Sequence, residues 1–280
     1  MTDRIDREAF LDACSVDPDV FALRPDYRAR LIAVDGLPST EPEQEHAGSE
    51  AGSGAYSGSE TGLGSGSSAV DSLIAAAESR ARELLATAAV EDLPHIAAWR
   101  DAYRAFGAKP QRTRNSLEAL TRRAEQGLPR VNPLTDAYNA ISVLHQVPIG
   151  GEDLRRYSGP ARLVRAAGDE AFDTASGGEP VVEHPDAGEV VWRDDAGATC
   201  RRWNWRQGRR TALGHGTSSA LFILDALAPM SDDGLDAAEA ALIGALTELA
   251  APSGSTPGSA PGSTPAPTLT IASRTLGAAS

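Results

Sequence analysis

The chain has little cysteine and few aromatic residues. It contains two cysteines, Cys14 and Cys200, in 280 residues, too few for the disulfide framework of a small secreted domain. Aromatic residues make up only 5% of the chain. No apolar run approaches the roughly 18 residues that span a bilayer, and the N-terminal sequence lacks the apolar stretch of a secretory signal. We therefore expect a cytoplasmic protein that does not associate with membranes.

Positive charge is also scarce overall, but it is unevenly distributed. The net charge is −13, and Lys109 is the single lysine among 26 basic residues. An acidic protein is a poor partner for nucleic acid, because phosphate binding depends on cations. Residues 94–213, however, carry 18 basic and 15 acidic side chains, whereas the rest of the chain carries 8 and 24. The middle of the chain is thus mildly basic and compatible with an RNA partner.

Composition divides the chain into four segments. Residues 1–37 form the N-terminal part of a core domain, and 38–68 are an insertion rich in Gly, Ser and Glu. Residues 69–250 form the rest of the core, and 251–280 are a tail rich in Pro, Ser and Gly. Both low-complexity segments have too few apolar side chains to offset the entropy of ordering, so we expect them to be disordered.

Hydrophobic periodicity predicts a mixture of helices and strands. The predicted helices cover residues 70–89, 94–106, 116–126, 134–145, 217–227 and 236–250, and the predicted strands cover 28–34, 161–166 and 189–193. We therefore expect an α+β fold with a mixed β-core, of sandwich or barrel character, flanked by helices. A pocket is expected between the helix that begins at Leu134 and the strand that contains Asp194.

The segment from Asp194 to Arg206, called here the 194–206 motif, concentrates reactive side chains. Guanidinium groups beside indole rings suit a ligand that carries phosphates, rings or both. The alternative is a sheet edge with paired surface charges and inward-facing tryptophans. The candidate ligand contacts in the motif are Asp194, Cys200, Arg201, Arg202, Trp203, Asn204, Trp205 and Arg206.

Four motifs in order resemble a known family. They are the segments 99–107 (WRDAYRAFG), 132–139 (NPLTDAYN), 150–154 (GGEDL) and the 194–206 motif. Over roughly residues 16–227, the series resembles freestanding relatives of the B3/B4 domain, the tRNA-editing module of the phenylalanyl-tRNA synthetase β-subunit. The resemblance implies an aminoacyl-tRNA deacylase that acts in trans, without the synthetase's ligase activity.

The chain departs from the synthetase pattern inside the expected pocket. Asp136 and Asn139 match the Asp and Asn of the pocket helix, and Asp153 matches the last residue of a Pro-x-His-Ala-Phe-Asp turn. Gly150 stands where that turn has its histidine. Residues 203–206 (WNWR) replace the small residues and the Glu that line the synthetase's amino-acid site. The resemblance therefore implies a pocket built from residues of its own.

Ester hydrolysis needs an oriented water, a donor to the oxyanion and contacts to the substrate amine. Asn139, Glu152, Asp153 and Asp195 are the candidate catalytic residues. Asp194 and Asp195 point to opposite faces if they lie in a strand, and we favour Asp195 for the pocket. The alternative for each is a solvated turn residue. For Glu152 and Asp153 the alternative is helix capping ahead of Leu154.

Other residues complete the expected site. Ser142 follows Asn139 by three positions and shares its helix face, while Gly150 and Gly151 allow the backbone to approach a ligand. Cys200 has neighbouring arginines that favour a thiolate. No histidine stands at a convincing spacing from it, so a buried thiol is the stronger interpretation. Histidine and cysteine spacings indicate no metal site, and no cofactor is expected.

Three hypotheses about function follow. The first is a freestanding tRNA-editing hydrolase for misacylated aminoacyl-tRNA, acting in translation fidelity and contacting the acceptor end of tRNA. The second is a non-catalytic module that binds tRNA or an amino-acid-like metabolite. The third is a regulatory interaction protein that depends on its low-complexity segments, in which case deleting residues 251–280 abolishes its activity.

Overall fold

The computed structural model describes residues 6–38, 65–251 and 268–278. Residues 39–64 of the predicted insertion and most of the predicted tail lie outside these ranges, whereas residues 65–68, predicted to be disordered, begin a helix. The helices within them are α1 (Arg7–Ala13), α2 (Pro18–Leu23), α3 (Ser65–Leu85), α4 (Pro94–Ala105), α5 (Ser116–Arg123), α6 (Pro133–His145) and α7 (Asp232–Ala250). The strands are β1 (Ser15–Val16), β2 (Arg28–Asp35), β3 (Ile149–Asp153), β4 (Arg162–Arg165), β5 (Phe172–Ser176), β6 (Glu179–Glu183), β7 (Val190–Asp194), β8 (Gly197–Arg201), β9 (Arg206–Gln207), β10 (Ser219–Ala226) and β11 (Thr270–Gly277).

These strands form two main sheets and a hairpin. The central sheet has the order β11-β2-β10-β3 with antiparallel neighbours throughout. The outer sheet has the order β1-β4-β7-β8-β9, and β5 pairs with β6. In the central sheet, Ile223 of β10 lies opposite Leu31 of β2 and Gly150 of β3. Side chains at these three positions therefore share one face of the sheet.

The two faces of the central sheet pack against different layers. Ile32 and Phe222 belong to a core shared with helices α3, α6 and α7. Leu31 and Ile223 belong to a second core shared with Trp192 of the outer sheet. The architecture is thus helices, central sheet and outer sheet in three layers. The α+β prediction is confirmed, and the barrel alternative is wrong because the sheets in the described ranges are open.

One predicted helix is a strand. Residues predicted to be helical over 217–227 form β10, and every residue of the strand is buried. Leu and Ala have high helix propensity, and a mostly apolar run shows no alternation that identifies a strand. The position between two sheet neighbours overrides the local preference.

Part of the predicted disordered tail is ordered. Strand β11 pairs with β2 along its full length, from Thr270 opposite Asp35 to Gly277 opposite Arg28. Its sequence, TIASRTLG, includes the β-branched residues that favour strands, whereas the Pro, Ser and Gly repeat ends before it. The prediction of a tail disordered to its end is therefore wrong for this strand.

Helix α6 has clear sequence signals at both ends and borders the region of the site. The side chain of Asn132 caps the helix by accepting a hydrogen bond of 2.9 Å from the backbone N–H of Thr135, and Pro133 occupies the first turn. Gln146 ends the helix in the left-handed conformation, with φ of 54°. These signals account for the correct prediction of this helix.

Gly151 is required by packing. A Cβ atom at this position would lie 2.9 Å from side-chain carbons of Tyr138, Leu213 and Phe222. We expect Gly151→Ala to destabilise the fold by about 1–3 kcal/mol, because buried rings have little room to move. Gly150→Ala is the matched control, since its Cβ would meet the flexible end of Gln207 at 3.0 Å. Urea unfolding of the two variants measures the difference, and equal stability would contradict this role.

Candidate functional site

A pocket of about 100 Å³ opens where the central sheet, the outer sheet and helix α6 meet. Its walls combine indole and phenol rings with amide, carboxyl and guanidinium groups. They are formed by Ser116, Tyr138, Asn139, Ile149, Gly150, Trp192, Cys200, Trp203, Asn204, Trp205, Arg206, Gln207, Ile223 and Asp225. Ligand sites are usually concave and mostly apolar, with a few convergent polar groups, and this lining has that character.

The turn between β8 and β9 forms one wall of the pocket. Arg202 and Trp203 have φ of 47° and 67°, values that are uncommon for residues other than glycine. The Trp203 N–H donates to the carbonyl of Val190 at 2.7 Å. The indole ring of Trp203 is fully buried, with ring centroids 5.0 Å from Tyr27 and 5.3 Å from Trp99. Burial of this ring offsets the backbone strain of the turn.

Asp225 supplies the carboxyl group of the pocket. It lies near the end of β10, on the face that packs against the outer sheet. The Tyr27 hydroxyl donates to one oxygen at 2.6 Å, and the Asn204 amide donates to the other at 3.4 Å. Burial raises the pKa of Asp225 to about 7, although hydrogen bonds from Tyr27, Asn204 and Trp192 oppose the shift. The group can therefore accept or release a proton near neutral pH.

A chain of hydrogen bonds fixes the orientation of Asn204. The Tyr103 hydroxyl donates to the Asn204 side-chain oxygen at 2.9 Å, which leaves the amide N–H₂ facing Asp225. Burial raises the pKa values of Tyr27 and Tyr103 well above the usual value for tyrosine. Both phenols are consequently neutral donors at physiological pH, and the network Tyr103–Asn204–Asp225–Tyr27 holds the carboxyl group in place.

Amide groups occupy the wall next to α6. The Tyr138 hydroxyl donates to the Gln207 side-chain oxygen at 3.4 Å, and the Gln207 amide donates to the carbonyl of Gly151 at 3.0 Å. Asn139 also lines the pocket, and its side-chain amide makes no hydrogen bond to another residue in the described part of the chain. Asn139 is thus free to bind a ligand.

Trp205 and Arg206 lie at the rim. The guanidinium carbons of Arg202 and Arg206 lie 4.6 and 5.1 Å from the Trp205 ring centroid. Arg206 also donates to the Thr174 hydroxyl at 2.6 Å. These contacts keep a cation and an aromatic ring beside the opening, an arrangement that suits a charged, planar ligand.

The structure gathers about half of the predicted site residues at this pocket. Those that line it are Asn139, Gly150, Cys200, Trp203, Asn204, Trp205 and Arg206. Those that do not are Ser142, Gly151, Glu152, Asp153, Asp194, Asp195, Arg201 and Arg202. Cys200 lies inside, but burial raises the pKa of its thiol well above the usual value, so it has no thiolate character at neutral pH.

Asp194 and Asp195 serve the β7–β8 hairpin. Asp194 is fully buried and accepts two hydrogen bonds from Arg210, at 2.7 and 2.8 Å. Asp195 is exposed and pairs with Arg162. The expectation that Asp195 faces the pocket is therefore wrong, because the hairpin turn begins at this residue and directs its side chain to solvent.

Glu152 and Asp153 hold backbone segments together. Asp153 accepts from the Thr217 hydroxyl at 2.9 Å and from the backbone N–H of Arg155 at 3.0 Å, so it caps the short helix that follows. Glu152 is buried and accepts from the Tyr157 hydroxyl, and burial raises its pKa. Neither carboxylate reaches the pocket, and the capping alternative describes Asp153 correctly.

The remaining predicted contacts also have structural partners. The Ser142 hydroxyl donates to the carbonyl of Val147 at 2.6 Å. Arg201 is buried and binds Glu189 through two hydrogen bonds of 2.9 and 2.8 Å. Arg202 lies on the far side of the turn, where it contacts Thr113. Substrate contact at the pocket is therefore not the role of these residues.

Sequence reasoning missed seven residues of the pocket: Ser116, Tyr138, Ile149, Trp192, Gln207, Ile223 and Asp225. Asp225 had a detectable signal, because it is the single charged residue in the apolar run 219–227. A lone acid in such a run is buried or functional far more often than an acid on a polar face. The helical interpretation of that run concealed the signal.

Comparison with known proteins assigns this region to a family. Residues 98–233 match the family model described as the B3/4 domain, and this range contains every residue that lines the pocket. This region therefore matches the same family that the four motifs resemble.

A solved structure from a phenylalanyl-tRNA synthetase is also similar to the chain. It is an N-terminal fragment of the phenylalanyl-tRNA synthetase beta-subunit from Pyrococcus horikoshii, at 11% identity and a TM-score of 0.37. The match covers 84% of this chain and 48% of that chain, so the protein spans about half the length of the fragment. No curated protein matches the sequence. Among the described residues, no helix combines the length and apolar character needed to cross a bilayer.

The raised pKa of Asp225 predicts a pH-dependent stability. Between the ordinary pKa of 3.8 and about 7, the folded state keeps the proton that the unfolded state loses, so stability falls as pH rises. Asp225→Asn removes this dependence. We expect the unfolding free energy of Asp225→Asn to exceed that of the wild type. The difference should grow from pH 4 to pH 7, reach up to about 4 kcal/mol and stay constant above pH 7. Urea titrations across this range test it, and a constant difference between the two proteins would contradict the assignment.

Proposed function

We propose that this B3/4 domain hydrolyses the ester of misacylated aminoacyl-tRNA in trans. The observation that carries the proposal is a buried carboxyl group, Asp225, with a pKa of about 7 in a pocket that also holds an unpaired amide. A general base is most effective when its pKa lies near the working pH. The resemblance of the four motifs to the tRNA-editing B3/B4 domain, together with the match of residues 98–233 to the B3/4 domain model, supports tRNA as the carrier of the ester.

Asp225 acts as the base in this scheme. Its carboxylate accepts a proton from a water molecule while the water oxygen bonds to the ester carbonyl carbon. The resulting carboxylic acid then returns the proton to the ribose oxygen as the carbon–oxygen ester bond breaks. The products are a free amino acid and a tRNA with a free terminal hydroxyl. Tyr27 and Asn204 hold the carboxylate in position throughout.

Two side chains in the pocket walls complete the reaction. The Asn139 amide donates to the carbonyl oxygen as negative charge develops on it, and this contact is strongest in the transition state. Arg206 stands at the rim, where the terminal ribose and its phosphate enter. Cys200 has a raised pKa and takes no part in the chemistry.

The test compares two carboxylate variants on a panel of mischarged tRNAs. We expect Asp225→Asn to lower kcat by about 10²–10⁴-fold, the usual contribution of a general base. Asp195→Asn is the matched control and should keep the wild-type rate, because Asp195 is exposed outside the pocket. The wild-type rate should rise with pH up to about 7 and then level off, and Asp225→Asn should lack that rise. Absence of ester release from every tRNA by the wild type would refute the proposal.

The size of the pocket favours a second candidate function. A cavity of about 100 Å³ holds an amino acid more readily than a larger ligand, and a buried carboxylate binds an α-ammonium group well. In this case the domain binds amino-acid-like metabolites or charged tRNA without turnover. Calorimetry with free amino acids separates the candidates: binding without hydrolysis, abolished by Asp225→Asn, supports the module.

A further inference from the structure

A second concavity lies on the other side of the turn between β8 and β9. It has a volume of about 370 Å³ and is lined by the α4–α5 connection on one side and by Arg202 on the other. Lys109 and Arg112 both belong to this lining. This concavity is called the cationic cleft below.

The local backbone brings the two cations together. The N–H groups of Arg112 and Thr113 both donate to the carbonyl of Lys109 at 2.9 Å, which closes a tight turn. Lys109 and Arg112 are exposed, and neither pairs with a carboxylate in the described ranges. Most arginines of the outer sheet are neutralised by internal partners, whereas these two cations are left for a ligand.

The carboxylates of the cleft do not cancel this charge. Glu189 is buried, accepts two hydrogen bonds from Arg201 and pairs with Arg202 at 3.4 Å. Asp186 stands exposed in the lining. Glu189 thus neutralises Arg202 as well as Arg201. Lys109 and Arg112 remain against the exposed carboxylate of Asp186, and two such cations favour an anion with several acceptor oxygens over a neutral ligand.

The cleft adjoins the pocket through two shared segments. Arg202 lines the cleft and Asn204 lines the pocket. The two residues are two positions apart in the chain, so their Cα atoms lie less than about 8 Å from each other. The α4–α5 connection lines the cleft up to Thr113, and Ser116 lines the pocket. A ligand that extends by one nucleotide unit from the pocket thus reaches the cations.

We propose that Lys109 and Arg112 form a phosphodiester site for the single-stranded 3′ end of an RNA whose terminal ribose lies at the rim of the pocket. The inference rests on the proposed function and adds the residues that select a polynucleotide over a free amino-acid ester. The contacts are to phosphate oxygens, so they position the RNA and read no base.

The test measures binding of a fluorescent 12-nucleotide RNA that ends in CCA and carries no amino acid. We expect K109E/R112E to weaken binding at least tenfold by fluorescence anisotropy. The slope of log K against log salt concentration is negative and should become less negative by about 1.4, since each phosphate contact on a single strand contributes about −0.7. The matched control is R80E/R82E, which makes the same charge change on exposed positions of α3, in the helical layer; it should bind within twofold of the wild type. Thermal unfolding confirms that both variants are folded.

Equal weakening of RNA binding by K109E/R112E and R80E/R82E would overturn the proposal that the cationic cleft binds phosphate. So would a wild type that does not bind the RNA. Two substrates separate this outcome from a failure of the proposed function. K109E/R112E should raise KM for mischarged tRNA and leave kcat/KM for an aminoacyl ethyl ester unchanged. Asp225→Asn should instead lower the rate of hydrolysis of both substrates. If the wild type hydrolyses mischarged tRNA and K109E/R112E leaves KM unchanged, only the phosphate-binding role of the cleft is refuted. If RNA binding depends on the cleft but the wild type releases no amino acid, only the proposed hydrolase activity is refuted.

Discussion

The structure depends on strand β10, which is buried along its entire length between two layers. One face supplies apolar side chains to the helical core, and the other supplies them to the core shared with the outer sheet. Asp225 sits on the second face, so its carboxyl group enters a nearly dry environment. The hydrogen bond from Tyr27 joins this strand to the start of β2 across 198 positions of the chain. The orientation of the pocket's acid is thus a consequence of the assembled sheet, not of a local loop.

Local signals account for what the sequence predicted correctly. Helix α6 has an N-cap, an N-terminal proline and a left-handed end, and these act within a few residues. The segment 203–206 was correctly expected at the pocket, because indole, amide and guanidinium groups rarely occur together in a strand that only packs. Asp225 was missed for the opposite reason: Leu and Ala around it favour a helix locally, whereas pairing with β2 and β3 decides the outcome.

Charged partners were the least predictable part of the site. Asp194 and Asp195 are adjacent in sequence, yet one is buried against Arg210 and the other is exposed beside Arg162. No spacing rule identifies those partners, since each pair forms across strands or loops. The arginines of the 194–206 motif likewise bind Glu183 and Glu189. Internal carboxylates can therefore neutralise most of the charge of a dense arginine cluster.

The matched family range and the folding unit have different boundaries. Residues 98–233 include the whole pocket lining, but they omit β2, the strand that pairs with β10 on one side and β11 on the other. A polypeptide cut to that range would leave one edge of β10 with unpaired backbone groups, remove most of the helical layer and lose the phenol that binds Asp225. Such an edge recruits strands from other molecules. Isolating the chemistry of this domain thus means retaining sequence far outside the part that resembles its relatives.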